Sequence, residues 1–163
     1  MSKRPGVTKM LSKMVQNRLI SRNEYWSSEV TFDQWTDNER RIDFVSFKPA
    51  RAGMSTTPAT IELGEFTCYE IKSGMNDFTS GHGLSFYGDT NYIVTTPEFA
   101  QELCDKWLVP EGVGLLVPNK TGQALYCKRK PTLTARGGRT RSASELLWNM
   151  VKAHGTWNGR VSF

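Results

Sequence analysis

Several features that mark whole classes of proteins are missing from this sequence of 163 residues. No run approaches the roughly 18 consecutive apolar residues that a membrane-spanning helix needs. The basic N-terminal segment leads into no apolar signal core, and neither a phosphate-binding P-loop nor an internal repeat is visible. We therefore expect a cytoplasmic protein without membrane contact and without P-loop chemistry.

Cysteine and histidine are also scarce. The cysteines Cys68, Cys104 and Cys127 are far apart and odd in number, which argues against a disulfide framework or a CxxC metal site. We expect them to be buried free thiols in a reducing compartment. Since His82 and His154 are the only histidines, a zinc site with several histidine ligands is not expected.

Charge is abundant but unevenly distributed along the chain, which carries a formal net charge of +5. Residues 1–22 hold six Lys or Arg and no acid, residues 23–118 hold six against fifteen acids, and residues 119–163 hold nine against Glu145 alone. The net charges of these segments are thus +6, −9 and +8. Basic ends around an acidic middle favour a polyanionic partner.

The length and a hydrophobic fraction of 38% fit one domain with one core. We expect the core part of this single domain to span about residues 7–128, followed by a basic loop and a C-terminal helix over 129–163. Apolar spacing and turn residues predict helices at 7–20, 97–107 and 142–154, and strands near 26–32, 41–47, 65–72, 91–95, 112–117 and 124–129. This order predicts an α/β fold with a mixed central sheet flanked by helices.

Three charges interrupt two strands that are otherwise apolar on both faces. Side chains alternate along a strand, so Glu70 and Lys72 share one face of strand 65–72, while Asp43 lies among apolar residues of strand 41–47. A buried charge costs several kcal/mol unless it is paired or binds a metal. Each charge alone fits a surface pair or a turn cap, but together they form a small ligand set suited to Mg²⁺.

These residues resemble the PD-(D/E)XK nuclease superfamily, in particular the small MmcB-like DNA-repair proteins and related phage nucleases. The similar segments, within about residues 26–118, are Arg41-Ile42-Asp43-Phe44-Val45, Tyr69-Glu70-Ile71-Lys72-Ser73 with Asp77-Phe78, Tyr87-Gly88-Asp89, Tyr92-Ile93-Val94 and residues 110–116. The resemblance implies a restriction-endonuclease-like fold. It also implies that Asp43 and Glu70 hold Mg²⁺ or Mn²⁺ and that Lys72 positions the attacking water.

Members of that superfamily often have a further acid upstream of the site. Glu29 is the first match in this chain, Glu24 is the alternative, and a solvated surface acid remains the third reading for either. The chain also departs from the superfamily pattern, because Ile42 replaces the motif proline and a glycine-rich stretch around His82 replaces a regular helix. His82 could contact phosphate or could be an ordinary exposed loop residue.

Basic residues near both ends are candidates for contact with the phosphates of a nucleic acid. These nucleic-acid-binding candidates are Lys9, Lys13, Lys128, Arg129, Lys130, Arg136, Arg139 and Arg141. The alternative is an ordinary solvated charged tail. Trp26, Trp35 and Trp157 could stack on bases, although we expect core packing for Trp26 and Trp35.

The sequence therefore predicts a magnesium-dependent deoxyribonuclease, in repair, recombination or phage DNA processing, within a bacterial cytoplasm and with a phage gene as an alternative origin. The alternative function is a catalytically inactive protein on the same fold that binds nucleic acid or inhibits a partner. A purely structural interaction module explains the charge segregation poorly. The small size favours help from a second copy or a protein partner in substrate choice.

Overall fold

The computed structural model describes residues 4–50, 56–133 and 138–157. The helices in these residues are α1 (Arg4–Ser21), α2 (Pro58–Glu62), α3 (Met75–Thr79), α4 (Pro97–Asp105) and α5 (Ala143–Trp157). The strands are β1 (Tyr25–Phe32), β2 (Arg40–Lys48), β3 (Glu65–Ile71), β4 (Thr90–Val94), β5 (Gly114–Pro118) and β6 (Leu125–Arg129). The predicted α/β order is confirmed, and the short helices α2 and α3 are additions to the three helices predicted above. A capping box between Thr57 and Thr60, with Pro58 in the first turn, explains the short helix α2.

The six strands form one mixed sheet in the order β1-β2-β3-β4-β5-β6. The pairs β1–β2, β2–β3 and β5–β6 are antiparallel, whereas β3–β4 and β4–β5 are parallel. A parallel pair needs a crossover connection. The segment with α3 supplies the first crossover and α4 supplies the second, so the predicted mixed sheet with flanking helices is confirmed.

Helices cover both faces of the sheet. On one face, α1 packs against Phe44, Tyr69 and Leu116. On the other face, α5 packs against β1, β2 and β3, and α4 packs against β4 and β5. Leu146 and Met150 of α5 are buried, so the C-terminal helix contributes to the hydrophobic core.

The regular alternation of β2 is interrupted at Asp43. Regular alternation would place Ile42 on the face opposite Val45, but Ile42 packs in the same cluster as Val45. Across the β1–β2 ladder, the pairs Ser28↔Phe44 and Val30↔Ile42 flank this point. Between them Glu29 adopts a left-handed backbone with φ of 55°, which disturbs the pleat next to Asp43.

Two further expectations concern membrane contact and the thiols. Within the described ranges, none of the helices is both long and apolar enough to cross a bilayer. All three cysteines are free, and Cys68 is buried as expected. The expectation of burial is wrong for Cys127, which is exposed on the edge strand β6, and holds only in part for Cys104.

Candidate active site

A cleft of about 890 Å³ opens where β3 ends, β2 begins and the first half of α1 passes. Asp43, Glu70 and Lys72 all line it. The sheet register explains why the two carboxylates meet, because the β2–β3 ladder runs from Lys48↔Glu65 to Phe44↔Tyr69. Asp43 and Glu70 are the next residues of these two strands, so they lie side by side at the point where the strands separate.

Where the β2–β3 ladder ends, the side chain of Asp43, rather than the backbone of β2, accepts a hydrogen bond from β3. Its Oδ2 accepts a hydrogen bond from the Ile71 backbone N–H at 2.7 Å. Burial raises the pKa of Asp43, and the Ile71 amide opposes the shift. The negative charge of Glu29 raises this pKa further, while Lys72 and Arg41 act to lower it. The carboxylate is therefore fixed in place and sensitive to nearby charge.

Glu70 is the more deeply buried carboxylate, with 1% of its surface exposed. Burial raises its pKa well above the ordinary range, and the neighbouring charge of Asp43 raises it further because two close carboxylates disfavour each other's ionisation. Lys72 and the Ser85 backbone act in the opposite direction. Its Oε1 is buried and has no hydrogen-bond partner among the described residues. Such an orphaned acceptor is costly unless a ligand satisfies it.

Lys72 is held by its surroundings, with 4% of its surface exposed. Its Nζ donates a hydrogen bond to the His82 carbonyl oxygen at 2.7 Å and lies 3.8 Å from Asp77 Oδ1. Asp77, in the first turn of α3, accepts a hydrogen bond from the Ser73 backbone N–H at 2.9 Å. These contacts fix the ammonium at the end of β3 beside the carboxylate pair.

Gly83 closes the site from the loop that follows α3, a role that was not predicted from the sequence. It has a φ of 70°, and a Cβ at this position would lie 2.9 Å from both Glu70 Oε2 and Lys72 Nζ. Only glycine lets the backbone come this near to the two charged groups. The glycine-rich stretch that departs from the superfamily pattern therefore forms one wall of the cleft. His82 lines the cleft with an exposed side chain, and the contact it makes with Lys72 is through its backbone carbonyl.

The residues of this cleft fit a hard divalent cation. Mg²⁺ is often bound in proteins by one or two carboxylates and retains several waters, and Asp43 with Glu70 supplies such a pair. The unpartnered Glu70 Oε1 is an available oxygen ligand. A cluster of three or more His, Cys, Asp or Glu ligands is not found in residues 4–50, 56–133 and 138–157, so these two carboxylates are the protein side chains that would hold Mg²⁺ or Mn²⁺.

The two candidates for the upstream acid lie at different distances from the site. Glu29 does not line the cleft, but it forms an ion pair with Arg41 at 2.8 Å and its charge acts on Asp43. Glu24 is bound to Arg22 at 2.6 Å and accepts a hydrogen bond from Ser46 Oγ. Because Ser46 lies further along β2, away from Asp43, Glu29 is the nearer of the two candidates.

The candidate residues for phosphate contact lie in different parts of the structure. Lys9 lines the cleft and Lys13 is exposed one turn further along α1. Lys128, Arg129 and Lys130 lie at β6, three strands from Glu70, which corresponds to about 14 Å across the sheet. Arg136 lies outside the described residues.

Arg139 and Arg141 form ion pairs within the protein, which sequence reasoning did not anticipate. The groups around Arg139 are the carboxylates of Asp89 and Glu62, each at 3.1 Å, and the ring of Phe66. The groups around Arg141 are the carboxylates of Asp33 at 2.6 Å and Glu145 at 2.9 Å, and the ring of Tyr87. Arg139 also lies near the start of β3, whereas the cleft lies at the end of that strand. Both guanidinium groups thus hold the C-terminal segment to the sheet.

The tryptophans differ in their environments. Trp26 is half-buried against the α1 side of the core, as expected. The expectation of core packing is wrong for Trp35, which is 89% exposed, because it lies in the turn between β1 and β2 rather than on a strand. The side chain of Trp157 lies outside the described part of the chain.

Comparisons with protein-family models, with curated proteins and with solved structures gave no match for this chain. The resemblance to the PD-(D/E)XK superfamily consequently remains a prediction that rests on the residues quoted above. The cleft and its chemistry are the remaining guides to function.

Proposed function

We propose that this protein is a metal-dependent nuclease that hydrolyses phosphodiester bonds in DNA. The observation that carries the proposal is the meeting of Asp43, Glu70 and Lys72, two of them almost wholly buried, in one cleft at the end of β3. Burying Glu70 and Lys72 is costly, and the arrangement of the three side chains suits the chemistry of phosphodiester hydrolysis.

In this reaction the oxygen of a water molecule forms a bond to phosphorus, and the bond from phosphorus to the leaving deoxyribose oxygen breaks. The water loses a proton and the leaving oxygen gains one. Asp43 and Glu70 would hold Mg²⁺ or Mn²⁺, which supplies Lewis-acid polarisation of the phosphate when bound. Lys72 would orient the attacking water and offset the negative charge that builds up around phosphorus.

The surroundings of the cleft suit a polyanionic substrate. Lys9, Arg40 and Arg41 line it together with the carboxylates. Cations that contact phosphates position a nucleic acid without reading its sequence. This arrangement supports binding of the DNA backbone and predicts little base specificity.

A cleavage assay tests the proposal. Supercoiled plasmid and labelled duplex, single-stranded and branched oligonucleotides would be incubated with Mg²⁺, with Mn²⁺ and with EDTA. We expect metal-dependent cleavage by the wild type. The cleavage rate should fall at least a hundredfold in Asp43→Asn and in Lys72→Met. Lys106→Met is the matched control, because Lys106 forms an exposed pair with Glu102 on α4. Cleavage that survives both cleft substitutions would refute the assignment of the site.

A second candidate function is nucleic-acid binding without hydrolysis. It is favoured by the absence of a third carboxylate or imidazole ligand beside Asp43 and Glu70 in the part of the chain described. The same assay separates the two functions. Absence of cleavage on every substrate, together with DNA binding that Asp43→Asn leaves unchanged, would favour the binding protein.

A further inference from the structure

An exposed tryptophan lies at the tip of the β1–β2 hairpin. Trp35 has 89% of its surface exposed, and its backbone has a φ of 68°. A left-handed backbone is unfavourable for a bulky side chain and persists where the surrounding structure enforces it. Since Trp35 has no core to fill, its exposure is unexplained by folding.

The hairpin holds this residue firmly. The Trp35 backbone N–H donates to Glu39 Oε2 at 2.9 Å, and the Thr36 N–H donates to the Asp33 carbonyl at 3.2 Å. The Asp33 carboxylate is in turn paired with Arg141 at 2.6 Å. These bonds predict a rigid turn that presents the indole in a defined position.

The same hairpin forms part of the cleft wall. Thr31, Glu39, Arg40 and Arg41, on both sides of the turn, line the cleft. Glu39 is also the residue that binds the Trp35 backbone, so a single hydrogen bond connects the tryptophan to the wall. Arg40 is exposed beside it, and its guanidinium donates to the Glu39 backbone carbonyl at 2.8 Å.

We propose that Trp35 stacks on an unpaired base of the DNA substrate while Arg40 and Lys9 contact the neighbouring phosphates. An exposed indole stacks on a base only where a face of the base is free, as in single-stranded segments. The preferred substrate is therefore DNA with a single-stranded region at the cleft. This inference rests on the proposed function, because the cleft is what identifies DNA as the partner.

Binding measured without hydrolysis tests the inference separately from catalysis. Fluorescence anisotropy in EDTA would compare a labelled 20-nucleotide dT strand with a 20-base-pair duplex. We expect Trp35→Ala to weaken binding of the single strand by about 5- to 150-fold, the range that corresponds to loss of one stacking contact. We expect a smaller effect on the duplex, and Trp35→Phe to restore most of the affinity.

Trp107 provides a matched control. It is 93% exposed and has a φ of 56°. It follows α4, however, and no residue of α4 lines the cleft, whereas several residues of the Trp35 hairpin do. Trp107→Ala should leave the affinity for both DNAs unchanged, and thermal melting should show that all variants are folded. An equal loss in Trp35→Ala and Trp107→Ala would overturn the inference.

The outcomes also separate this inference from the proposed nuclease. Metal-dependent cleavage combined with unchanged single-strand binding in Trp35→Ala overturns the stacking role and leaves the nuclease intact. Trp35-dependent binding without cleavage supports the stacking role and overturns the nuclease. Failure of the wild type to bind either DNA overturns the stacking role.

Discussion

Replacing Glu70 by glutamine should stabilise the protein in the absence of metal. Glu70 is buried beside Asp43, and its Oε1 has no partner among the residues described. A glutamine has nearly the same shape, carries no charge and can donate a hydrogen bond from its amide to Asp43. At neutral pH the substitution removes the cost of keeping the Glu70 carboxyl protonated in the folded state, while the packing of β3 is kept.

The size of the effect follows from the pKa of Glu70, which burial and Asp43 raise from 4.5 to about 9. A carboxyl whose pKa is raised in the folded state stabilises the fold fully below its unfolded pKa, and this stability is lost as the pH rises through the folded pKa. The wild type should therefore lose stability between about pH 4.5 and pH 9. At pH 7 the free energy of unfolding is lower by roughly 3 kcal/mol, since each pH unit above 4.5 lowers it by about 1.4 kcal/mol.

Urea unfolding in EDTA at several pH values measures this loss. We expect Glu70→Gln to be about 1–3 kcal/mol more stable than the wild type at pH 7, because the buried amide retains a desolvation cost. The pH dependence should also become flatter, whereas Glu111→Gln, an exposed control, should change neither quantity. Adding Mg²⁺ should stabilise the wild type and not Glu70→Gln. A destabilised Glu70→Gln, or a wild type equally stable at pH 5 and pH 8, would refute the reasoning.

Two further predictions concern the cleft wall and the C-terminal segment. Gly83→Ala should lower the melting temperature and reduce cleavage more than Gly122→Ala. Both glycines have a left-handed backbone, but only at Gly83 would the new Cβ meet the charged groups of the site. An equal decrease in melting temperature in the two variants would contradict this. Arg139→Met should destabilise the protein by about 2 kcal/mol in urea unfolding, because it leaves the half-buried Asp89 carboxylate without its guanidinium. Weaker DNA binding with unchanged stability would instead identify Arg139 as a phosphate contact.

Much of the fold could be predicted from local patterns. The apolar spacing of α1 and α5 and the alternation along β2 and β3 depend on neighbours in sequence, which the sequence displays directly. The short helix α2 was missed because its capping residues, rather than apolar periodicity, determine it. The face taken by Ile42 was also missed, since it depends on the left-handed backbone of Glu29 on another strand.

The candidate site could be predicted only in part, for a similar reason. Asp43, Glu70 and Lys72 were conspicuous because charge rarely interrupts a buried strand. Gly83 was not, because its role depends on a loop returning to the end of β3 from twelve residues further along the chain. The exposure of Trp35 was likewise unpredictable, as an aromatic residue close to a strand is more often packed in the core than presented in a turn.

The segregation of charge along the chain has a structural explanation alongside the functional one. The cations of Arg139 and Arg141 lie in the basic C-terminal third, and their partners Asp33, Glu62 and Asp89 lie in the acidic middle. These pairs connect the segment before α5 with the turn after β1, the end of α2 and the residue before β4. Part of the charge asymmetry thus serves to hold the two segments together. Because their charges are already paired within the protein, we expect Arg139 and Arg141 to contribute less to phosphate contact than unpaired cations would. If the proposed function holds, attraction of a polyanion would depend mainly on cations such as Lys9 and Arg40, because these line the same cleft as Asp43 and Glu70.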